Sequence, residues 1–209
     1  MSKYDNALME TAKIWAKESK CRRRQVGAIL SKDGRILVTG YNGTIAGKDN
    51  SCEKRVYKCR DCGNESELYK AVFNEYMIEP IMHTMDPYAN DLVFKTRCIR
   101  CNTVSRIKAN KADGEKKIFE KARDKLSELV TSDLVLHAEQ NIIAFAAKNG
   151  ISTDGTTIHI TTSPCQHCAK LIAQSGIERV VYLEEYKDTT GIKFLKNIGI
   201  EVVYMGDTI

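Results

Sequence analysis

Proline is scarce in this sequence, with 3 residues, and glycine is held to 13, so neither a collagen-like repeat nor a long disordered linker fits the composition. No internal repeat or low-complexity tract interrupts it. Long hydrophobic runs are missing as well. The run from Ile142 to Ala147 falls far short of the roughly 18 residues that a transmembrane helix needs, which excludes an integral membrane protein built on such helices. The N-terminal segment sets Tyr4, Leu8, Ala12 and Trp15 against Lys3, Asp5, Glu10 and Lys13. It lacks the uninterrupted apolar stretch of a signal peptide and is expected to be a helix of a cytoplasmic protein. Aromatic residues make up only 7%, and no basic stripe interleaved with aromatics appears, which argues against a platform for stacking single-stranded nucleic acid.

What is present is the composition of a soluble globular domain: 209 residues, 43% hydrophobic, 28% charged, with a net charge of +5. That mild excess suits a phosphate on a small molecule as well as it suits a polyanion. Apolar residues at helical spacing predict a helix over 3–18. Two β-branched runs, 25–30 and 35–39, flank Asp33-Gly34 and predict a hairpin, followed by the loop Gly40-Tyr41-Asn42-Gly43. Further on, helix and strand alternate: a helix over 137–148, a strand over 156–162, a helix over 165–174, a strand over 179–183, a helix over 190–197 and a strand over 200–204. Gly150, Gly176 and Gly199 close the helices. Such alternation demands crossover connections and partly parallel pairing, hence an α/β class with helices packed on a central mixed sheet of about five strands. Residues 53–130 differ, being charge-rich with two cysteine knuckles, a candidate helix over 66–78 and an amphipathic helix that aligns Ile118, Ala122 and Leu126. The expected organisation is one domain, 1–52 with 131–209, interrupted by a zinc-ribbon-like insertion.

Eight cysteines would mean disulfides in a short secreted chain, but six of them form three Cys-x-x-Cys pairs: Cys59/Cys62, Cys98/Cys101 and Cys165/Cys168. In a reducing compartment that spacing points to metal. His137-Ala138-Glu139 opens one predicted helix and Pro164-Cys165-Gln166-His167-Cys168 opens the next. Cys165 and Cys168 fall in one helical turn, where the N-terminal dipole favours thiolates. With His137 they make three ligands, the number at which catalytic zinc keeps a fourth position for water. Glu139, two residues from His137, is placed for general acid/base work on that water. The order H-x-E then P-C-x-x-C is the known signature of zinc nucleobase deaminases. The competing readings are a structural site shared with another knuckle and a thioredoxin-like redox pair. Neither accounts for the His-Ala-Glu triplet.

On ESKC (18–21), QVGAIL (25–30), GYNGT (40–44), HAEQN (137–141), FAAKNG (145–150), SPCQHCAKLIAQSGI (163–177) and VVYLEEY (180–186), the chain resembles the phage-type members of the zinc-dependent cytidine and deoxycytidylate deaminase family. The resemblance implies a cytidine deaminase-like three-layer α/β/α fold and hydrolysis of dCMP to dUMP and ammonia, which supplies dUMP for thymidylate synthesis. It further implies a homo-oligomer, commonly a hexamer, activated by dCTP, with Mg2+ accompanying the triphosphate, and inhibited by dTTP; for a viral protein the site of action is the host cytoplasm. Carried over by residue, it makes His137, Cys165 and Cys168 the zinc ligands and Glu139 the proton shuttle. Asn42 and Ala138 come against the nucleotide, and Arg24 faces the 5′-phosphate, where a planar guanidinium pairs two oxygens. Tyr186 comes near the base or sugar, and Thr161 and Ser163 beside the metal loop. The plainer reading of Arg24, Tyr186, Thr161 and Ser163 is ordinary surface or packing, and of Asn42 an ordinary turn residue. Ile45, Thr162 and Gln140 depart from the family pattern and leave open a preference for dCTP or a modified dCMP.

The four cysteines Cys59, Cys62, Cys98 and Cys101 are expected to hold a structural zinc, because a closed thiolate shell leaves no place for substrate. Cys21 and Cys52 match two cysteines that help hold a further structural zinc in phage-type relatives. Their usual partners are replaced here by Ser127 and Val135, so either His83 substitutes or the two stay reduced without metal. Arg22, Arg23 and Arg24 are the densest positive run. Beside a zinc ribbon they admit two rivals: a base deaminase acting on tRNA or single-stranded nucleic acid, and a zinc-organised binding module.

Overall fold

A computed structural model of the chain describes residues 2–59, 61–63, 65–67, 91–97, 101, 104–110 and 127–206. Its contacts divide it into one unit of Met1–Cys52 with Ser132–Ile209 and a second of Glu53–Thr131.

The first unit contains α1 (Asp5–Ala16), β1 (Gly27–Lys32), β2 (Arg35–Tyr41) and the short β3 (Gly43–Thr44). The second contains β4 (Glu53–Lys58), β5 (Glu65–Glu67), β6 (Asp91–Arg97), β7 (Val104–Asn110) and β8 (Ser127–Thr131). The first unit then resumes with β9 (Val135–Leu136), α2 (Ala138–Lys148), β10 (Thr156–Thr162), α3 (Gln166–Gln174), β11 (Ile177–Glu184), α4 (Thr190–Asn197) and β12 (Glu201–Tyr204). Five strands form its central sheet in the order β12-β11-β10-β1-β2. β10, β11 and β12 run parallel, whereas β1 is antiparallel to both β10 and β2. The sheet is therefore mixed, as the alternation of helix and strand predicts. β1 turns into β2 through Asp33 and Gly34, both at positive φ, as a tight hairpin requires.

Strand alternation then sorts the side chains into three layers. Ala28, Leu30, Ile158, Ile160 and Val180 pack with Ala138, Ile142 and Ala146 of α2, Ala169 and Ile172 of α3, and Leu195 of α4. On the other face Ile29 and Val181 meet Leu8, Met9 and Ala12 of α1. Each fully buried Ile or Leu of this kind contributes roughly 1.5–3 kcal/mol. Among the described residues, no helix is long and apolar enough to cross a membrane.

The α1 face also buries a charge cluster. Asp5 is 1% exposed, accepts two hydrogen bonds of 2.8 Å from Arg179 on β11, and lies 3.0 Å from His159 Nε2 on β10. Arg179 donates a further bond to Glu201. Burial pushes the Asp5 carboxyl up, but the Arg179 and His159 hydrogen bonds together outweigh it and hold the group well below the usual carboxylate range. His159 goes down because its imidazole is buried. A carboxylate only accepts, so Nε2 carries the proton of this contact; Nδ1 is buried with no hydrogen-bond partner among the described residues.

In the second unit β4 pairs with β5 and with β8, and β6 and β7 form a separate hairpin. Residues 66 and 67 lie in β5, with Val56 opposite Glu67, so the helix expected over 66–78 does not start there. A strand partner supplies the backbone hydrogen bonds that helical periodicity had assigned locally. The rest of that helix, the one carrying Ile118, Ala122 and Leu126, and also Cys98 and His83, lie outside the described residues.

Candidate metal centre

Two helix N-termini converge beyond one end of the sheet. His137 is the N-cap of α2, with extended backbone at φ −68° and ψ 158°. Cys165 is the N-cap of α3 at φ −69° and ψ 168°, and Cys168 lies one turn on. β10 delivers Ser163 and Pro164 to this point, and the short β9, paired with β3, delivers His137. Within α2, Asn141 Nδ2 donates to the Tyr41 carbonyl at 2.7 Å, which stitches the Gly40–Gly43 loop to the same helix.

The imidazole Nδ1 of His137 lies 3.4 Å from Cys168 Sγ and 3.7 Å from Cys165 Sγ. All three ligand atoms are within 4.8 Å of one another. Tetrahedral zinc, with bonds of about 2.3 Å to sulfur and about 2.05 Å to nitrogen, places such atoms roughly 3.5–3.6 Å apart, so the spacing and the donor set fit the ion. Cys168 is fully buried, Cys165 partly, and His137 is exposed, which leaves the cluster open on one side.

The electrostatics favour the same ion. Hydrogen bonding from Cys168, then from His137, lowers the Cys165 thiol to about 3. Cys168 is pushed up, first by its bond to Cys165 and then by burial. His137 is raised chiefly by its contact with Cys165. Glu139, only 4% exposed, is raised by burial and sits within hydrogen-bond reach of Cys168. A buried carboxyl with raised proton affinity beside three metal-ligand atoms is equipped to take a proton and return it.

Over residues 2–184 the sequence matches the model of the cytidine and deoxycytidylate deaminase zinc-binding region. The chain belongs to that family. The deoxycytidylate deaminase of Enterobacteria phage T2 is 37% identical over 199 residues, covering 94% of this chain and 89% of the relative. That of phage T4 is 35% identical, covering 94% and 87%. Among solved structures, the dCMP deaminase of cyanophage S-TIM5 in complex with dCMP and dUMP superposes with a TM-score of 0.59 at 29% identity, over 98% of this chain and 99% of that one.

In this deaminase the remaining candidates fall into two groups. Arg24 and Tyr186 come together, the guanidinium lying 5.6 Å from the ring centroid. Ser163 Oγ accepts from the Tyr186 amide at 2.8 Å and so ties that residue to the metal loop. Asn42, Thr161 and Ala138 act inward. The Asn42 carboxamide accepts from Val26 N and donates to the Arg24 carbonyl, bracing the segment that carries Arg24. Thr161 accepts from Gly27 N across the sheet, and Ala138 is fully buried at the start of α2. The sulfurs of Cys21 and Cys52 are paired with each other as a disulfide.

The roles of two residues escaped the sequence reading. Gln140 departs from the family pattern, and its side chain accepts from the His137 backbone N–H at 2.8 Å, fixing the turn that presents the imidazole. Its place three residues after a helix N-cap was the available signal. Gly191 opens α4 against the metal loop, where a Cβ would run into the Pro164 and Cys165 carbonyls. No local pattern announces that contact.

Proposed function

We propose that this chain hydrolyses dCMP to dUMP and ammonia at the cluster of His137, Cys165, Cys168 and Glu139. The observation that carries the reading is one imidazole nitrogen and two sulfurs within 4.8 Å, open on one side and flanked by a buried carboxyl, in a chain similar along nearly its whole length to phage deoxycytidylate deaminases. Zinc held by His137, Cys165 and Cys168 supplies a water of lowered pKa, nucleophilic near neutrality. The residues of the chain do the rest. Glu139 accepts a proton from the attacking water, passes it to N3 of cytosine, and carries the second proton to the amino group as the C4–N bond breaks. Water's oxygen stays on C4, ammonia leaves, and the carboxylate ends as it began. Arg24, held over Tyr186 and braced by Asn42, offers a planar fork to the 5′-phosphate.

Likeness to the phage enzymes also supports the finer parts of this reading: supply of dUMP for thymidylate synthesis, activation by dCTP with Mg2+, inhibition by dTTP, and a hexameric assembly. The test is loss of cytosine absorbance with dCMP, dCTP, cytidine and a tRNA side by side, with and without dCTP and dTTP as effectors. Turnover is expected on dCMP, and the Glu139→Ala enzyme should keep its zinc while losing about 10²- to 10⁴-fold in rate. Wild-type rates in that variant, or turnover confined to the tRNA, would overturn the proposal.

A further inference from the structure

The second unit contains a cluster of its own. Cys59 follows β4 directly, and Cys59-Arg-Asp-Cys62-Gly63 turns back at once, the Gly63 amide donating to the Cys59 carbonyl at 3.0 Å. Gly63 sits at φ +66°, a conformation open to glycine, and lets the chain leave the turn. Cys101 comes from a different place, the connection between β6 and β7, whose pairing ends at Arg97 opposite Val104. The sulfurs of Cys59, Cys62 and Cys101 nevertheless lie within 4.8 Å of one another, with Cys59 and Cys101 separated by 3.5 Å.

That separation is much longer than the roughly 2.05 Å of a disulfide and close to the roughly 3.8 Å edge of a thiolate tetrahedron around zinc. Cys98 stands one residue after β6 and three before Cys101, the spacing of the other knuckle. We propose that Cys59, Cys62, Cys98 and Cys101 hold a structural zinc that is independent of the catalytic cluster. Four thiolates close the shell, so this ion presents no position for water and takes no part in the chemistry. Its work is folding. Of the second-unit side chains whose burial is described, Val56 and Cys59 are buried, Cys59 at the cluster itself. Such a metal crosslinks the end of β4 to the connection between β6 and β7, fixing segments 42 positions apart in sequence.

The test is metal analysis of the purified full-length protein, wild type beside Cys59→Ser/Cys101→Ser and His137→Ala. Each variant should hold one zinc per chain fewer than wild type, and limited proteolysis should cut residues 53–131 only in the double cysteine variant. Should that variant prove insoluble, wild-type protein reconstituted with cobalt supplies the second readout. Cobalt in His137→Ala enzyme should still give the intense sulfur-to-metal charge-transfer band of a tetrathiolate site. A full zinc complement in the double cysteine variant, no charge-transfer band in His137→Ala, or iron at this site would each overturn the proposal.

Discussion

The two thiol clusters among the described residues are built in opposite ways. His137, Cys165 and Cys168 stand on the first turns of two helices whose inner faces are locked into an apolar core, so the fold places the ligands before any ion arrives. Cys59, Cys62 and Cys101 stand on strand ends in a unit with little described core. There the proposed ion does the placing. Mixed donors with a buried carboxyl beside them leave room for substrate, whereas a set of thiolates alone leaves none. Helix packing lets a centre keep an open side, whereas four thiolates would close theirs.

Several measurements press on this contrast. The largest effect is expected from His137→Ala, which should abolish turnover yet leave the protease resistance of residues 53–131 unchanged; parallel loss of both would show that the clusters are not independent. Controlled chelation should separate them in time. The three-ligand centre, exposed at His137, gives up its zinc first, so activity should vanish while about half the zinc remains bound, as followed with a metallochromic indicator.

Smaller effects concern the packing that keeps the open centre in shape. Asp5→Asn should destabilise the first unit by up to about 3 kcal/mol, since it weakens a buried pairing and leaves Arg179 undercompensated. The only tryptophan, Trp15, lies on α1 and reports that unit by fluorescence during denaturation. The sign of the pH dependence follows from both buried groups. His159 is held below its unfolded value of about 6.5, so the unfolded chain takes up that proton first and stability falls as pH drops below that point. Asp5 is also held below its unfolded value of about 3.9, so its contribution is complete above that and is lost on further acidification. Wild-type stability should therefore decline in two acid steps, and Asp5→Asn should lack the lower one.

Gly191→Ala should cost about 1–3 kcal/mol by forcing α4 off the Pro164–Cys165 backbone, with weaker zinc retention at the open centre only. Gln140→Leu should be the mildest, about 0.5–1.5 kcal/mol, seen as a small drop in midpoint with the zinc complement intact.

Legibility varied with the range of the interaction. Hydrophobic period and glycine stops were enough to read α2, β10 and α3, because those patterns repeat within one element. The candidate metal cluster was legible because Cys165 and Cys168 share a helical turn and His137 and Glu139 stand two residues apart. Asn42 was harder: Tyr-Asn-Gly announced a turn, and only the folded chain showed both ends of the carboxamide tied to the backbone of residues 24 and 26. In the second unit, β5 took residues that helical spacing had claimed, since pairing with β4, Val56 opposite Glu67, supplies backbone hydrogen bonds that helical spacing does not anticipate.

By itself the order of residues determined the α/β class and singled out the cluster of His137, Cys165 and Cys168 with Glu139 beside it, all of which follow from local periodicity and short spacings. Only the tertiary structure decided that Cys101 meets Cys59 across 42 positions, that Arg24 lies over Tyr186, that Asp5 is buried against His159 and Arg179, and that Gly191 must stay small. The reason is physical. Those contacts arise from packing between distant segments, and no property of either segment alone specifies its partner.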